Sequence, residues 1–559
     1  MKRWTGLFLI ATLSIALLVS AQDDDYVWND VERVVAVGDV HGSYDNLVRV
    51  LRNARLIDEK LRWIGGEAHL VQNGDVVDRG PDSRKAMDFL MKLEERAEDE
   101  GGRVHLLIGN HEAMNLIGIL DLVSKQEYAA FVDRDSRKRH EQAFDRYYDQ
   151  LRKEAKEKGE DAPKKNDVKA EFTESYPLGY IEHRRAFDAK GRYGKWIRRH
   201  NTAVLINGVL FSHGDWSEKF ADIGIAEVND RIRKELSGEL PIEEGLTFDE
   251  ASPLQYRGLA NTSLTTGAQS LEQPRVDRIL EKLGAKRLVV GHTLTPGWIE
   301  ARFGGKLVSI DVGMLDIYRG GHRVALELVD DQISAIHDDG VVPIPDGLDE
   351  TNLTAYIREV AAVDPTNVDV QLRLVDSMRE AGELVPAATI LERLFETPEH
   401  VPFRYRDVLG AYYANKGEAA KAETQYLAYI EGLSSLVEKN ANNQNLANLL
   451  ARYCVDKNLE LDRAFEAISA ALESTPDNYS FRITKTRVEL AKGRHTEAIA
   501  LLDQREPAEG FAYDAHFYRG LAYKALGARA QALEAFEAAI KADPTREEAA
   551  KELSALEGR

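Results

Sequence analysis

Six short segments hold the residues whose types and spacing could do chemistry. Asp39 and His41 lie between glycines in Gly38-Asp39-Val40-His41-Gly42. Gly74-Asp75-Val76-Val77-Asp78-Arg79-Gly80 and Gly109-Asn110-His111-Glu112 come next. His213-Gly214-Asp215, Gly291-His292-Thr293 and Asp311-Val312-Gly313 complete the set. Asp39, His41, Asp75, Asn110, His213 and His292 offer the oxygen and nitrogen donors that hard and borderline cations accept. An aspartate can bridge two ions through its two oxygens. Six such donors suit a pair of ions about 3.5–4 Å apart, the arrangement used for in-line displacement at phosphorus. Any one Gly-Asp or Gly-His pair is uninformative; the joint occurrence in this order carries the reading. The single cysteine, Cys454, excludes a CxxC zinc site and an intramolecular disulfide.

Each segment follows a run that reads as a β-strand. The runs are 34–37, 68–72, 104–108, 204–212, 287–290 and 307–310, with a hairpin turn expected at Asn207-Gly208. Open α/β folds place their sites just beyond the C-terminal ends of strands, where glycines let a short Asp or His point at one shared centre. Strand runs alternate with helical stretches from 31 to about 342, which predicts an α/β or layered α+β domain. Within it, residues 133–169 are dense in charge and poor in apolar positions, so a solvated helical insertion is expected, or a cap over the site. Residues 343–349 read as a linker, and 350–559 as helical and alanine-rich.

That last part repeats. Gly520, Tyr523, Gly527, Ala532, Phe536, Ala539 and Pro544 are separated by 3, 4, 5, 4, 3 and 5 residues. Gly410, Tyr413, Gly417, Ala422, Tyr426 and Tyr429 reproduce the spacing, and partial copies begin at Gly382, Ala464 and Gly493. The pattern resembles the tetratricopeptide repeat, a helix–turn–helix unit whose arrays form an all-α solenoid. Such arrays usually present a surface for a peptide or protein partner; here the array could instead only stabilise or dimerise the enzyme.

Lysine and arginine total 73 against 94 acidic residues, a net charge of −21. So acidic a chain is not a non-specific nucleic-acid binder, because phosphate backbones repel it. Lys2 and Arg3, the apolar stretch 4–19 and the small residues Val19-Ser20-Ala21 read as a signal peptide over 1–21. Export to the periplasm or the medium is therefore expected, with an uncleaved anchor as the alternative. No later stretch is long and apolar enough for a span.

Taken together, the motifs of 34–328 resemble the metallophosphoesterase (calcineurin-like) superfamily. The Asp-Arg-Gly of 78–80 and Glu112 favour its phosphoprotein phosphatase branch. Residues 180–196 and 252–258 are similar to the bacterial Shewanella-like phosphatases, although Gln255 stands where relatives often have Trp and Asp215 where many have Gly. The resemblance implies a metallophosphoesterase β-sandwich flanked by helices over 31–342. It implies two divalent ions, of manganese, iron or zinc, with manganese favoured. Asp39, His41 and Asp75 would hold one ion; Asp75, Asn110, His213 and His292 would hold the other. A metal-bridging hydroxide would attack phosphorus. His111 would protonate the leaving oxygen and Asp78 would orient His111. Arg79, Asn110 and Arg257 would bind the phosphoryl group. The implied substrate is a phosphoprotein carrying phosphate on Tyr, Ser or Thr. Small phosphate esters or dinucleoside polyphosphates are the alternative, and a non-enzymatic scaffold is a third reading that the complete ligand set disfavours.

Overall fold

The computed structural model describes residues 26–349, 352–508 and 510–558. The signal peptide expected over 1–21 lies outside them. The catalytic half contains two six-stranded mixed sheets. Its strands are β1 (Val27–Trp28), β2 (Arg33–Val37), β3 (His69–Gln72), β4 (Arg103–Leu106), β5 (Ala203–Ile206), β6 (Val209–Ser212), β7 (Arg287–Val290), β8 (Glu300–Arg302), β9 (Leu307–Ser309), β10 (Ala325–Val329), β11 (Gln332–Ile336) and β12 (Val341–Pro343). One sheet runs β12-β11-β10-β2-β3-β4, and the other β1-β5-β6-β7-β9-β8.

The strand runs of the sequence are β2, β3, β4, the β5–β6 hairpin, β7 and β9. The hairpin turns through Asn207 and Gly208, both with positive φ (50° and 75°), as a two-residue turn between right-twisted strands requires. Short hydrophobic strands such as Val34-Val35-Ala36-Val37 are buried on both faces, which suits parallel strands. Val35, Val37, Leu70, Leu106, Leu210, Val290 and Leu307, drawn from both sheets, belong to one apolar core. Register then fixes where the loops emerge. In one sheet Val37 pairs with Gln72, and Gln72 with Leu106. In the other, Ser212 pairs with Val290, and Val290 with Ser309. All these pairings are parallel, so six C-terminal strand ends form two short rows. Asn73 ties the rows together: its Nδ2 donates to the carbonyls of Ser212 at 3.0 Å and Val289 at 3.1 Å.

Between β4 and β5 the charged stretch folds into helices Ser136–Lys158 and Lys165–Ser175. They share a small core of Phe144, Val168 and Phe172, and the remaining charged positions stay in solvent. After β12, helix Leu353–Val363 buries Tyr356, Ile357 and Val360. The Tyr356 hydroxyl donates to the Ile299 carbonyl at 3.3 Å, and Asn367 Nδ2 to the Gly297 carbonyl at 2.7 Å. The first compact unit extends accordingly to Leu374, and the second runs from Val375 to Arg559.

The second unit is built of successive helices, among them Tyr405–Asn415 with Ala419–Lys439 and Ala512–Ala525 with Arg529–Ala542. A Cβ on Gly520 would strike the Phe536 ring, and one on Gly410 the Tyr426 ring. The same small-against-aromatic contact thus recurs at the same spacing in two helix pairs. Among the described residues no helix is long and apolar enough to cross a membrane.

A chain ending at Glu380 should keep the thermal stability of the first unit. One ending at Pro343 exposes the pocket of Ile357 and Val360, each worth about 1.5–3 kcal/mol when buried. Its melting temperature should fall by about 5–10 °C or more, as a thermal scan would show. Equal melting of the two would mean that helix Leu353–Val363 is dispensable to the unit.

Candidate active site

The loops beyond the two rows of strand ends converge on Asp75. Its Oδ2 lies 3.3 Å from His213 Nε2, 3.7 Å from His111 Nε2 and 3.8 Å from His41 Nε2. Its Oδ1 accepts the His111 backbone N–H at 3.0 Å. His41 Nε2 is also 3.8 Å from Asp39 Oδ2, and Asp39 Oδ1 accepts the His292 backbone N–H at 3.0 Å. Asn110 Oδ1 lies 2.9 Å from His213 Nε2. Among the described residues, two groups have donor atoms close enough to share a cation: His41, Asp75 and His111, and Asp75, His213 and His292. Asp75 is common to both.

The backbone is bent hard to achieve this. His41, Asp75, Asp78, Arg79 and His292 all have φ between 46° and 71°, a region that side chains other than glycine's rarely adopt. Glu112 is the staple: its buried carboxylate accepts the backbone N–H groups of Asp75 at 2.7 Å, Val76 at 2.8 Å and Gly109 at 2.9 Å. Gly109 must be glycine for a local reason, since a Cβ there would collide with Asp75 Oδ1 and Glu112 Oε2.

His111 and Asp78 form a buried pair. Asp78 Oδ2 lies 2.6 Å from His111 Nδ1, and Asp78 Oδ1 accepts from Asn115 Nδ2 at 2.8 Å. This fixes the imidazole with Nε2 turned toward Asp75. Arg79, exposed at the mouth, spans the opening. Its Nη1 lies 2.8 Å from His41 Nε2 and donates to the Tyr318 hydroxyl at 2.8 Å; its Nη2 lies 3.3 Å from His111 Nε2. Tyr318 has no motif around it, and the sequence reading passes over it.

Arg257 is held at the other side, where it donates to the His292 carbonyl and lies 3.3 Å from His292 Nδ1. Asp215 explains how that segment is seated. Its Oδ2 accepts the backbone N–H groups of Leu259 at 2.7 Å and Ala260 at 2.8 Å. Gly214 N–H donates to Pro253 O at 2.6 Å and Asp215 N–H to Tyr256 O at 2.9 Å. The departure from glycine at 215 therefore anchors the stretch bearing Gln255 and Arg257. His183 is buried and ringed by Tyr128, Phe131 and Phe187, and His200 is half-buried.

The electrostatics suit cations. Burial, then Asp311 and Asp75, push the Asp39 carboxyl well above the usual carboxylate range. Burial raises Asp311 to about 6. Burial also lowers His41 to about 3 and His292 to about 2, which keeps both imidazoles neutral with lone pairs available. Burial would raise Asp75 too, but His213, His111 and His41 outweigh it and hold it well below the usual range. At His111 burial works downward, and Asp75 and Asp78 reverse it, so its imidazole is raised. Three buried carboxyls and neutral imidazoles within reach of one centre are a donor set for divalent cations.

The family model of the calcineurin-like phosphoesterases matches residues 32–296. Shewanella-like protein phosphatase 1 of Plasmodium berghei (strain Anka) is 28% identical over 305 residues, 52% of this chain and 69% of its own. Shewanella-like protein phosphatase 2 of Arabidopsis thaliana is 26% identical over 307 residues, 51% of this chain and 71% of its own. The crystal structure of a cold-active protein-tyrosine phosphatase of a psychrophilic Shewanella sp. is 26% identical, with a TM-score of 0.42 over 57% of this chain and 81% of that one.

Asp75→Asn removes the carboxylate common to both groups. Bound metal, measured by mass spectrometry of the purified chain, should fall by about half or more, and turnover by ~10²-fold or more. Full metal content in a folded variant would remove Asp75 from the bridging role.

Proposed function

We propose, from the calcineurin-like metallophosphoesterase domain that residues 32–296 form, that this chain is a metal-dependent phosphomonoesterase acting on phosphorylated protein side chains. The observation that carries the reading is the buried Asp75 carboxylate shared by two cation-sized donor groups, one of which includes His111, held in turn by Asp78. Two divalent ions, with manganese the favoured pair, would be held by Asp39, His41, Asp75, Asn110, His213 and His292. When bound they supply Lewis acidity and a water activated for attack near neutral pH.

The chain's own groups do the rest. Arg79 is at the mouth, and a guanidinium fork matches the oxygens of a phosphoryl group. Asn110 adds a side-chain amide, and Arg257 a second guanidinium once it turns from the His292 carbonyl. His111 Nε2 faces the centre with a proton to give, and Asp78 keeps the ring oriented while that proton passes to the leaving oxygen. No side chain is required as a nucleophile; Cys454, the lone thiol, is buried in the helical unit.

The names of the relatives support a phosphoprotein substrate, and the Asp78-Arg79-Gly80 triplet supports it over a dinucleoside polyphosphate. The repeated glycine-to-aromatic contacts support tetratricopeptide-type hairpins in the second unit, with a peptide or protein partner as their ligand. The charged and apolar pattern of residues 1–21 supports export as a cleaved precursor.

His111→Asn should retain metal and lose kcat by ~10²–10⁴ on a phosphothreonine peptide, whose alkoxide leaves poorly. The loss should shrink on p-nitrophenyl phosphate, whose leaving group needs no proton. Equal losses on both would take His111 out of the acid role. Matched phosphotyrosine and phosphothreonine peptides assayed beside diadenosine tetraphosphate test the substrate class. Fast peptide turnover with an idle dinucleotide is expected, and the reverse result would contradict the reading.

A further inference from the structure

One buried carboxylate beside the site has no part in the chemistry so far. Glu127 is fully buried in the short helix Lys125–Ala130. Its Oε2 accepts from the Ser83 hydroxyl at 2.8 Å, and its Oε1 is buried without a hydrogen-bond donor. His183 Nε2 is 3.5 Å from its Oε1, and the His183 ring is itself packed on Phe187 at 4.6 Å between centroids. Burying a carboxylate is costly unless its neighbours fix it in a defined geometry.

The segment that carries Glu127 touches a sharply bent turn of the site. Asp78 and Arg79 are consecutive residues with φ of 71° and 65°. Such a pair persists only where its surroundings over-determine it. The segment 122–127 does this at several points. The Leu122 carbonyl accepts the Arg79 N–H at 2.9 Å, and Ser124 Oγ donates to the Gly80 carbonyl at 3.1 Å. Ser124 Oγ also accepts the Glu127 N–H at 3.0 Å, which fixes the helix start. Glu127 closes the grip from below through Ser83, five residues beyond Asp78.

We propose that Glu127 is a positioning residue: held by Ser83 and backed by His183, it sets the Asp78–Arg79 turn, and through it the orientation of His111 and the reach of Arg79 toward phosphate. This rests on the phosphomonoesterase reading above. Glu127 touches neither substrate nor metal, so its effect must appear in the two functions of the turn. Loss of the Asp78 function lowers kcat only where the leaving group needs a proton. Loss of the Arg79 function weakens binding of any phosphate.

The test uses the full chain loaded with manganese. In Glu127→Ala, kcat on a phosphothreonine peptide should fall by about 10–100-fold and on p-nitrophenyl phosphate by less than about 3-fold. KM for both esters and the calorimetric Kd for inorganic phosphate should rise by about 3–10-fold. Glu127→Gln, which keeps an acceptor for the Ser83 hydroxyl, should restore all of these to within about 3-fold. Equal kcat losses on both esters, or an unaltered Glu127→Ala, would contradict the assignment. Should Glu127→Ala not fold, Ser83→Ala removes one partner with little change of volume, and the same split at smaller size is expected. A Ser83→Ala variant without that split would then overturn it. If the unsubstituted chain hydrolyses neither ester, the phosphomonoesterase reading itself fails, which is a separate result.

Discussion

A carboxylate that has almost no contact with water needs positive charge or donated hydrogens in place of the solvent it has lost. Asp75 is 2% exposed, and its oxygens face three imidazoles and a backbone N–H. Asp39 and Asp311 are buried close enough to repel it. Such a cluster suits cations in its midst, and the need to satisfy Asp75 governs the arrangement around it. Both sheets contribute: His41, His111 and Asp75 follow strands of one, and His213 and His292 follow strands of the other.

The bent backbone follows from that convergence. Loops from six strand ends cannot meet at one point without residues in the left-handed region, and five of the site's non-glycine residues adopt it. Their strain is met by buried polar groups that never approach the substrate. Glu112 ties the Asp75 loop to the helix that bears His111. Asn73 holds the two rows of strand ends together. Asp215 seats the Arg257 segment, and Glu127 holds Ser83 just beyond the Asp78–Arg79 turn. Glu112, Asn73 and Asp215 act through hydrogen bonds to backbone groups, which gives direction as well as attraction.

The centre of the site was legible because its residues sit in glycine-flanked motifs at strand ends, where type and spacing are tightly constrained. The parallel strands were legible for the related reason that short apolar runs lead directly into those motifs. Among the supports, Glu112 and Asp215 stand inside those motifs, but others do not. Glu127 and Ser83 are 44 residues apart, and neither lies in a pattern that distinguishes it from a surface helix residue. Tyr318 reaches Arg79 from 239 residues away. The antiparallel strands β8 and β10–β12 also escaped notice, since Glu300-Ala301-Arg302 or Gln332-Ile333-Ser334-Ala335-Ile336 carries too little hydrophobic signal alone. Helix Leu353–Val363 looks like the start of the helical region by composition, yet its apolar face packs with the first unit. Composition reports the kind of element, whereas the destination of a buried face is set by tertiary contacts.

The most direct measurement is anomalous scattering at the manganese edge from crystals of the full chain grown with that metal. Two peaks should flank the Asp75 carboxylate, one beside Asp39 and His41 and the other beside Asn110, His213 and His292. A single peak, or peaks that do not share Asp75, would contradict the bridging carboxylate on which the whole arrangement depends.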